Sequence, residues 1–138
     1  MSGRIEILQK FEAQFIRKDI PNFEVGDTIK MKIKVPEADK VRLHPWEGLV
    51  IAKRGTGIKR TFTVRKNSFG EGVEKIFPLH SPVIASIKVV SRGEIKRSKL
   101  FYLRHKTGKG ARINTNIVTD AEQAAQAAAQ AVQVAATA

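Results

Sequence analysis

From Ile29 to Val35, apolar residues and lysines alternate without a break: Ile29, Met31, Ile33 and Val35 against Lys30, Lys32 and Lys34. Successive side chains of an extended chain point to opposite faces, so this pattern commits the segment to a strand with one buried and one basic face. A helix would scatter both sets around its circumference. The period of two returns at Thr61 to Arg65, where Phe62 and Val64 face one way. Leu49 to Ala52, Val73 to Phe77 and Val83 to Val90 are further strand candidates, and Leu100 to Leu103 closes the series. Pro36 to Lys40 reads as a turn or loop, Gly55-Thr56-Gly57 as a tight reversal, Gly70 and Gly72 as the next connection, and Arg92-Gly93 as another turn. Short strands, glycine turns and no helix between them describe a mostly β chain, a small antiparallel barrel or sandwich.

Two appendages flank these strands. Ile5, Leu8, Phe11, Phe15 and Ile16 recur at spacings of three and four, which predicts a short amphipathic α-helix over 4–17. Pro21 is expected to end it, since proline cannot donate a helical hydrogen bond. After Ile117 the composition shifts, and residues 121–138 hold ten Ala and four Gln. Thr119 with Glu122 fits a capping box, but an isolated Ala-rich helix of this length is marginal in water, so the tail is expected to be helical or disordered. The expected organisation is a helix and linker over 1–22, a β domain with basic loops over 23–116, and an appended tail over 117–138.

Charge narrows the function. The chain carries 25 Lys and Arg against 13 Asp and Glu, a net charge of +12. Residues 1–52 are close to neutral at +1, residues 113–138 carry −2, and residues 53–112 hold 16 basic and 3 acidic side chains. A block this one-sided destabilises a compact state by self-repulsion, so it implies a counter-charge from outside, most commonly nucleic acid. The basic residues come as pairs, Lys53-Arg54, Lys59-Arg60, Arg65-Lys66 and Lys96-Arg97, joined by Arg92, Lys99, Arg104, Lys106, Lys109 and Arg112. Adjacent strand residues point to opposite faces, so such pairs at strand ends and turns project cations outward. Guanidinium forks match phosphate oxygens, and lysine adds unoriented charge, so these fourteen are the candidate RNA-binding residues. Lys106 to Arg112, loosened by Gly108 and Gly110, is a stretch that could order on phosphate. Trp46, Phe69 and Tyr102 invite stacking on unpaired bases, although core packing is the expectation for each.

Catalysis finds no support. Absence of cysteine removes disulfides, zinc ribbons and thiol chemistry. His44, His80 and His105 lie in separate segments without metal-ligand spacing; His80, between prolines, reads as packed and the other two as exposed. Acid pairs such as Glu71 with Glu74, or Glu37 with Asp39, sit among Gly, Pro and Lys and are expected to balance nearby cations. Ser68, Ser81, Ser86 and Ser98 lack a nucleophile signature, and Gly55-Thr56-Gly57 lacks the Gly-Lys-Ser/Thr ending of a phosphate loop. No cofactor or metal is implied. No run of 18 apolar residues and no secretory leader is present, so a cytoplasmic protein without a membrane partner is expected.

These motifs together resemble one family. Gly26-Asp27-Thr28, Glu47-Gly48 before Val50-Ile51-Ala52, and Phe62-Thr63-Val64-Arg65-Lys66 carry the likeness, with Ser68, Gly70 and Gly72-Val73-Glu74. The most specific block is Phe77-Pro78-Leu79-His80-Ser81-Pro82. Lys96-Arg97, Lys99-Leu100, Tyr102-Leu103-Arg104, Gly108-Lys109 and Ala111-Arg112-Ile113 complete it. Over residues 4–114 the chain is similar to the L-nineteen family of bacterial large-subunit ribosomal proteins. Trp46 stands where that family commonly has Phe, Phe69 where it has Tyr, and the tail lies outside the pattern. The resemblance implies an SH3-like barrel behind an N-terminal helix and a non-enzymatic, structural place in the large ribosomal subunit. It further implies three partners: large-subunit ribosomal RNA, small-subunit ribosomal RNA across intersubunit bridges, and a neighbouring large-subunit protein joined by strand-edge pairing. A free RNA-binding regulatory factor on an SH3-like barrel is the alternative.

Overall fold

A computed structural model describes residues 2–118 and Ala128. Helix α1 (Ser2–Ala13) precedes five strands, β1 (Thr28–Glu37), β2 (Lys40–Arg54), β3 (Thr61–Ser68), β4 (Glu71–Pro78) and β5 (Ile84–Gly93). A short sixth strand, β6 (Thr115–Ile117), follows two 3-10 turns at Phe101–His105 and Gly108–Ala111. The strands form one antiparallel sheet in the order β4-β3-β2-β1-β5-β6. Phe62 and Val64 of β3, Trp46 and Val50 of β2, Ile29, Met31 and Ile33 of β1, and Ile84 and Val89 of β5 share one buried cluster with Phe23. A six-stranded sheet reaches a single core from nearly every strand only by curling, which is the barrel-like form expected. Among the described residues no ladder joins β4 to β5 or β6, so the sheet is open along its backbone.

Alternation along β1 is realised: Ile29, Met31 and Ile33 are buried, Lys30, Lys32 and Lys34 exposed. Val35 is exposed because β5 stops pairing at Ile33 and the β1–β2 hairpin runs on past the core. The run Leu49 to Ala52 breaks alternation for a different reason. Val50 belongs to the main core, whereas Ile51 packs with Leu100 and Leu103 in a second cluster on the other face of β2. The β2–β3 register slips between Val50 and Ala52, and the Ile51 carbonyl accepts the Leu100 N–H at 2.9 Å. A bulge thus frees a backbone acceptor that docks the C-terminal segment.

The structure corrects four expectations. Helix α1 spans Ser2–Ala13 rather than 4–17, and i→i−3 bonds from Gln14, Phe15 and Ile16 carry only a tightened turn onward. Its apolar Leu8 and Phe11, with Phe15 and Ile16 beyond it, remain largely exposed among the described residues; Phe11 and Phe15 pack on each other at 5.1 Å. Leu100 to Leu103 is a 3-10 turn rather than a strand, since burying both leucines on Ile51 needs a spacing of three. Arg92-Gly93 lies inside β5: a Cβ on Gly93 would overlap the Gly26 carbonyl, so this glycine serves a close backbone approach. Strand β6 carried no local signal, because all three of its residues are exposed. Of the tail over 117–138, expected to be helical or disordered, residues 119–138 lie outside the described residues, apart from Ala128.

The Gly26-Asp27-Thr28 motif closes this approach. Asp27 is buried, and its carboxylate accepts the N–H groups of Glu24 at 2.8 Å and Gly93 at 3.2 Å. His80 is half-buried and accepts the Arg17 N–H at 3.2 Å, while the Arg17 guanidinium donates to the carbonyls of Ser81 and Ile84. The linker behind α1 is thereby tied to the β4–β5 loop. No helix among the described residues is long and apolar enough to cross a membrane.

Candidate nucleic-acid interface

Docking of Leu100 and Leu103 on β2 brings the basic C-terminal stretch alongside the β3–β4 hairpin. Between them runs an open trough of about 1050 Å³ whose walls carry Arg65 and Lys66 from β3 and Lys106, Lys109 and Arg112 from the stretch. Gly48, Gly70, Gly72 and Gly108 also line it. Gly48 is required there, because a Cβ would lie 2.6 Å from the Arg65 carbonyl. A second depression of about 290 Å³ shares Arg112 and adds Lys96, Arg97 and Tyr102. Seven of the fourteen candidate cations therefore follow one continuous surface.

Glu74 organises part of that surface. It lies directly across from Arg65 in the β3–β4 ladder, and their side chains meet at 2.9 Å. Arg104 approaches the same carboxylate as a fork, with Nε 3.0 Å from both oxygens and Nη2 2.8 Å from Oε2. Its guanidinium also lies 4.5 Å from the Phe101 ring centroid. Hydrogen bonds from Arg104, and then Arg65, hold the Glu74 carboxyl below the usual glutamate range. One carboxylate cannot use up two guanidiniums, each with five N–H donors, so both retain donors for phosphate. Arg65 and Glu74 are half-buried and Arg104 is exposed, so the trio adds modest stability as well as holding its arginines in place. Because the carboxyl's folded value lies below its ordinary 4.5, the stability it adds is present above that value and lost as pH falls through the lowered one. Thermal unfolding of the wild type and Glu74→Gln should differ by a few degrees at neutral pH and converge in acid. A gap that stays constant would assign the effect to packing instead.

The other candidates lie elsewhere. Arg54, Lys59 and Arg60 are exposed on the β2–β3 connection, at the opposite end of β3 from the β3–β4 turn. Lys53, beside them, turns inward: its ammonium donates to the Phe23 carbonyl and sits 4.4 Å from the Phe23 ring centroid. Burial, and then the nearby Arg60 charge, push its pKa down. Arg92 is exposed on β5 opposite Asn116, and Lys99 is exposed before the 3-10 turn.

One feature escaped the sequence reading of the site, and one packing expectation is overturned. Lys30, Lys32 and Lys34 form an exposed row on β1, with Lys88 of β5 opposite Lys30; their alternation announced this basic face, yet none was counted as a candidate. The second is aromatic. Trp46 is buried and edge-on to Phe77 at 6.3 Å, and Tyr102 is half-buried, in keeping with packing. Phe69 is not packed at all, with a relative exposure of 105%. No group of acidic or histidine side chains among the described residues is arranged to hold a metal ion.

Comparison with known proteins gives this surface a context. Residues 6–116 match the family described as ribosomal protein L19. The chain is 50% identical over 108 residues to the large ribosomal subunit protein bL19 of Microcystis aeruginosa, covering 78% of this chain and 90% of that protein. To the protein of the same name from Synechocystis it is 53% identical over 107 residues, covering 78% and 88%. The matched span takes in the sheet, the trough and both 3-10 turns of the C-terminal stretch, and stops before the Ala/Gln tail. The chain therefore belongs to the ribosomal protein L19 family.

Proposed function

We propose that this protein is a structural, non-enzymatic constituent of the large ribosomal subunit that binds ribosomal RNA through its cationic trough, within cytoplasmic ribosomes. The carrying observation is the gathering of Arg65, Lys66, Lys106, Lys109 and Arg112 along one open channel. Phosphates spaced along an RNA strand are the natural counter-charge for cations arrayed in this way. Family membership supports the large subunit as the setting.

Two finer partners belong to the same reading. Cations on separate surfaces, the trough on one side and Arg54, Lys59 and Arg60 at the far end of β3, suit a protein wedged between RNA segments, including small-subunit RNA across the subunit interface. An open sheet also leaves edges. Strand β4 presents eight residues at one end of the sheet, with Val73 and Ile76 exposed on it, and suits backbone pairing with a neighbouring large-subunit protein. Strand β6, with three residues, is too short to compete.

Sedimentation tests the reading. The protein should remain on isolated large subunits through a moderate-salt wash. Recovery mainly in the post-ribosomal supernatant would overturn it in favour of a free regulatory factor.

A further inference from the structure

The β3–β4 ladder runs to Ser68 opposite Glu71, which leaves Phe69-Gly70 as a two-residue hairpin loop. Their φ values of 53° and 84° are those of a type I′ turn. Such a turn favours Asn or Gly at its first position, because a left-handed backbone crowds the Cβ of larger residues. Phe69 is the only non-glycine residue with positive φ among those described. Its ring is also fully exposed, so it returns no packing for the strain. Neither local propensity nor the core accounts for a phenylalanine here. Backbone strain that the fold does not need points to a function.

Surroundings indicate what the ring meets. Asn67 and Gly70, on either side of the apex, line the same trough as Lys66, Lys106, Lys109 and Arg112. A polyanion drawn into that channel passes the hairpin tip. A protein partner for an exposed ring would need no such cationic approach. We propose that Phe69 is a stacking platform for an unpaired base of the RNA strand held in the trough. The cations hold the backbone, and the ring takes a base face, a contact open to any base because each has a π-face. The two-residue turn holds the ring exposed at the hairpin tip, next to the trough-lining Asn67 and Gly70, and restricts its backbone before RNA arrives. This inference rests on the ribosomal-RNA reading and adds to it a base contact that charge alone does not supply.

Substitution at the apex separates the two readings. Phe69→Asn removes the ring and installs the residue the turn prefers. In the full-length chain it should raise the thermal midpoint while lowering affinity for protein-free large-subunit ribosomal RNA about 5- to 150-fold, the range for loss of one stacked base. Phe69→Tyr should retain wild-type affinity. On a fully paired RNA duplex, which offers no free base face, the wild type and Phe69→Asn should bind alike. Wild-type affinity of Phe69→Asn for the ribosomal RNA would overturn the stacking role and leave the RNA reading standing. An equal loss on duplex would also overturn it, by assigning the ring to backbone contact. Failure of the wild type itself to bind ribosomal RNA would remove both. A lowered thermal midpoint in Phe69→Asn would assign the ring to the fold and likewise overturn the proposal.

Discussion

Raising salt from 50 to 200 mM is expected to weaken binding of the full chain to large-subunit ribosomal RNA by about 10³–10⁵-fold, the drop for roughly 6–10 neutralised phosphates. The structure supplies cations of that number on one surface: Arg65, Lys66, Lys106, Lys109 and Arg112 in the trough, continued by Lys96 and Arg97. Arg65 contributes less than a full charge, since Glu74 lies 2.9 Å away. Lys109 and Arg112 are exposed, so alanine at either should leave the fold intact and reduce the slope of log affinity against log salt by about 0.7–0.9. Filter binding across a salt series measures both quantities. Affinity that does not change over this range would contradict an RNA partner held by charge.

Phe62→Ala should lower folding stability by about 3–5 kcal/mol, the usual cost of deleting a fully buried aromatic ring. Phe62 is 1% exposed and touches two other rings, edge-on to Phe23 at 5.2 Å and tilted to Phe77 at 5.8 Å. It joins β3 to the segment before β1, so the cavity opens where the curled sheet meets its linker. A domain of this kind is stable by only about 5–15 kcal/mol, so a substantial part of the total is at stake. Arg97→Ala provides the contrast. Arg97 is exposed, its guanidinium 5.2 Å from the Tyr102 ring centroid, and its removal should alter stability by no more than about 0.5 kcal/mol while weakening RNA binding. Chemical denaturation beside the binding assay distinguishes them. A stability loss at Arg97 as large as that at Phe62 would make it a structural residue and remove it from the interface.

The fold was legible in the sequence wherever local patterning carried it. Alternation over Ile29 to Ile33 and at Phe62 and Val64 identified the buried face correctly, because a strand's period of two follows from backbone geometry. Patterning failed where a partner far along the chain set the outcome. Leu100 to Leu103 read as a strand because its apolar ends gave no sign that both would dock on Ile51, about fifty positions earlier. Gly93 read as a turn because nothing local announces that the Gly26 backbone lies against it. For Phe69 the bulk of the ring suggested the core, yet the adjoining Gly70 marks a turn apex that no core can reach.

For the site the division is similar. By itself the sequence determined that residues 53–112 carry a surplus of cations needing an external polyanion, since net charge and its distribution do not depend on folding. It also determined the strand faces and, through motifs spread over most of the chain, the family. Only the tertiary structure decided which cations act together: five gathered along the trough, Arg65 and Arg104 held on Glu74, Lys53 turned onto Phe23, and Phe69 raised at the hairpin tip. Those arrangements depend on the bulge at Ile51 and the cross-strand register of Arg65 with Glu74. The bulge docks Leu100, about fifty positions away, and no local pattern announces so distant a partner; the Arg65–Glu74 pair lies only nine positions apart, but its register is set by the hairpin turn between them.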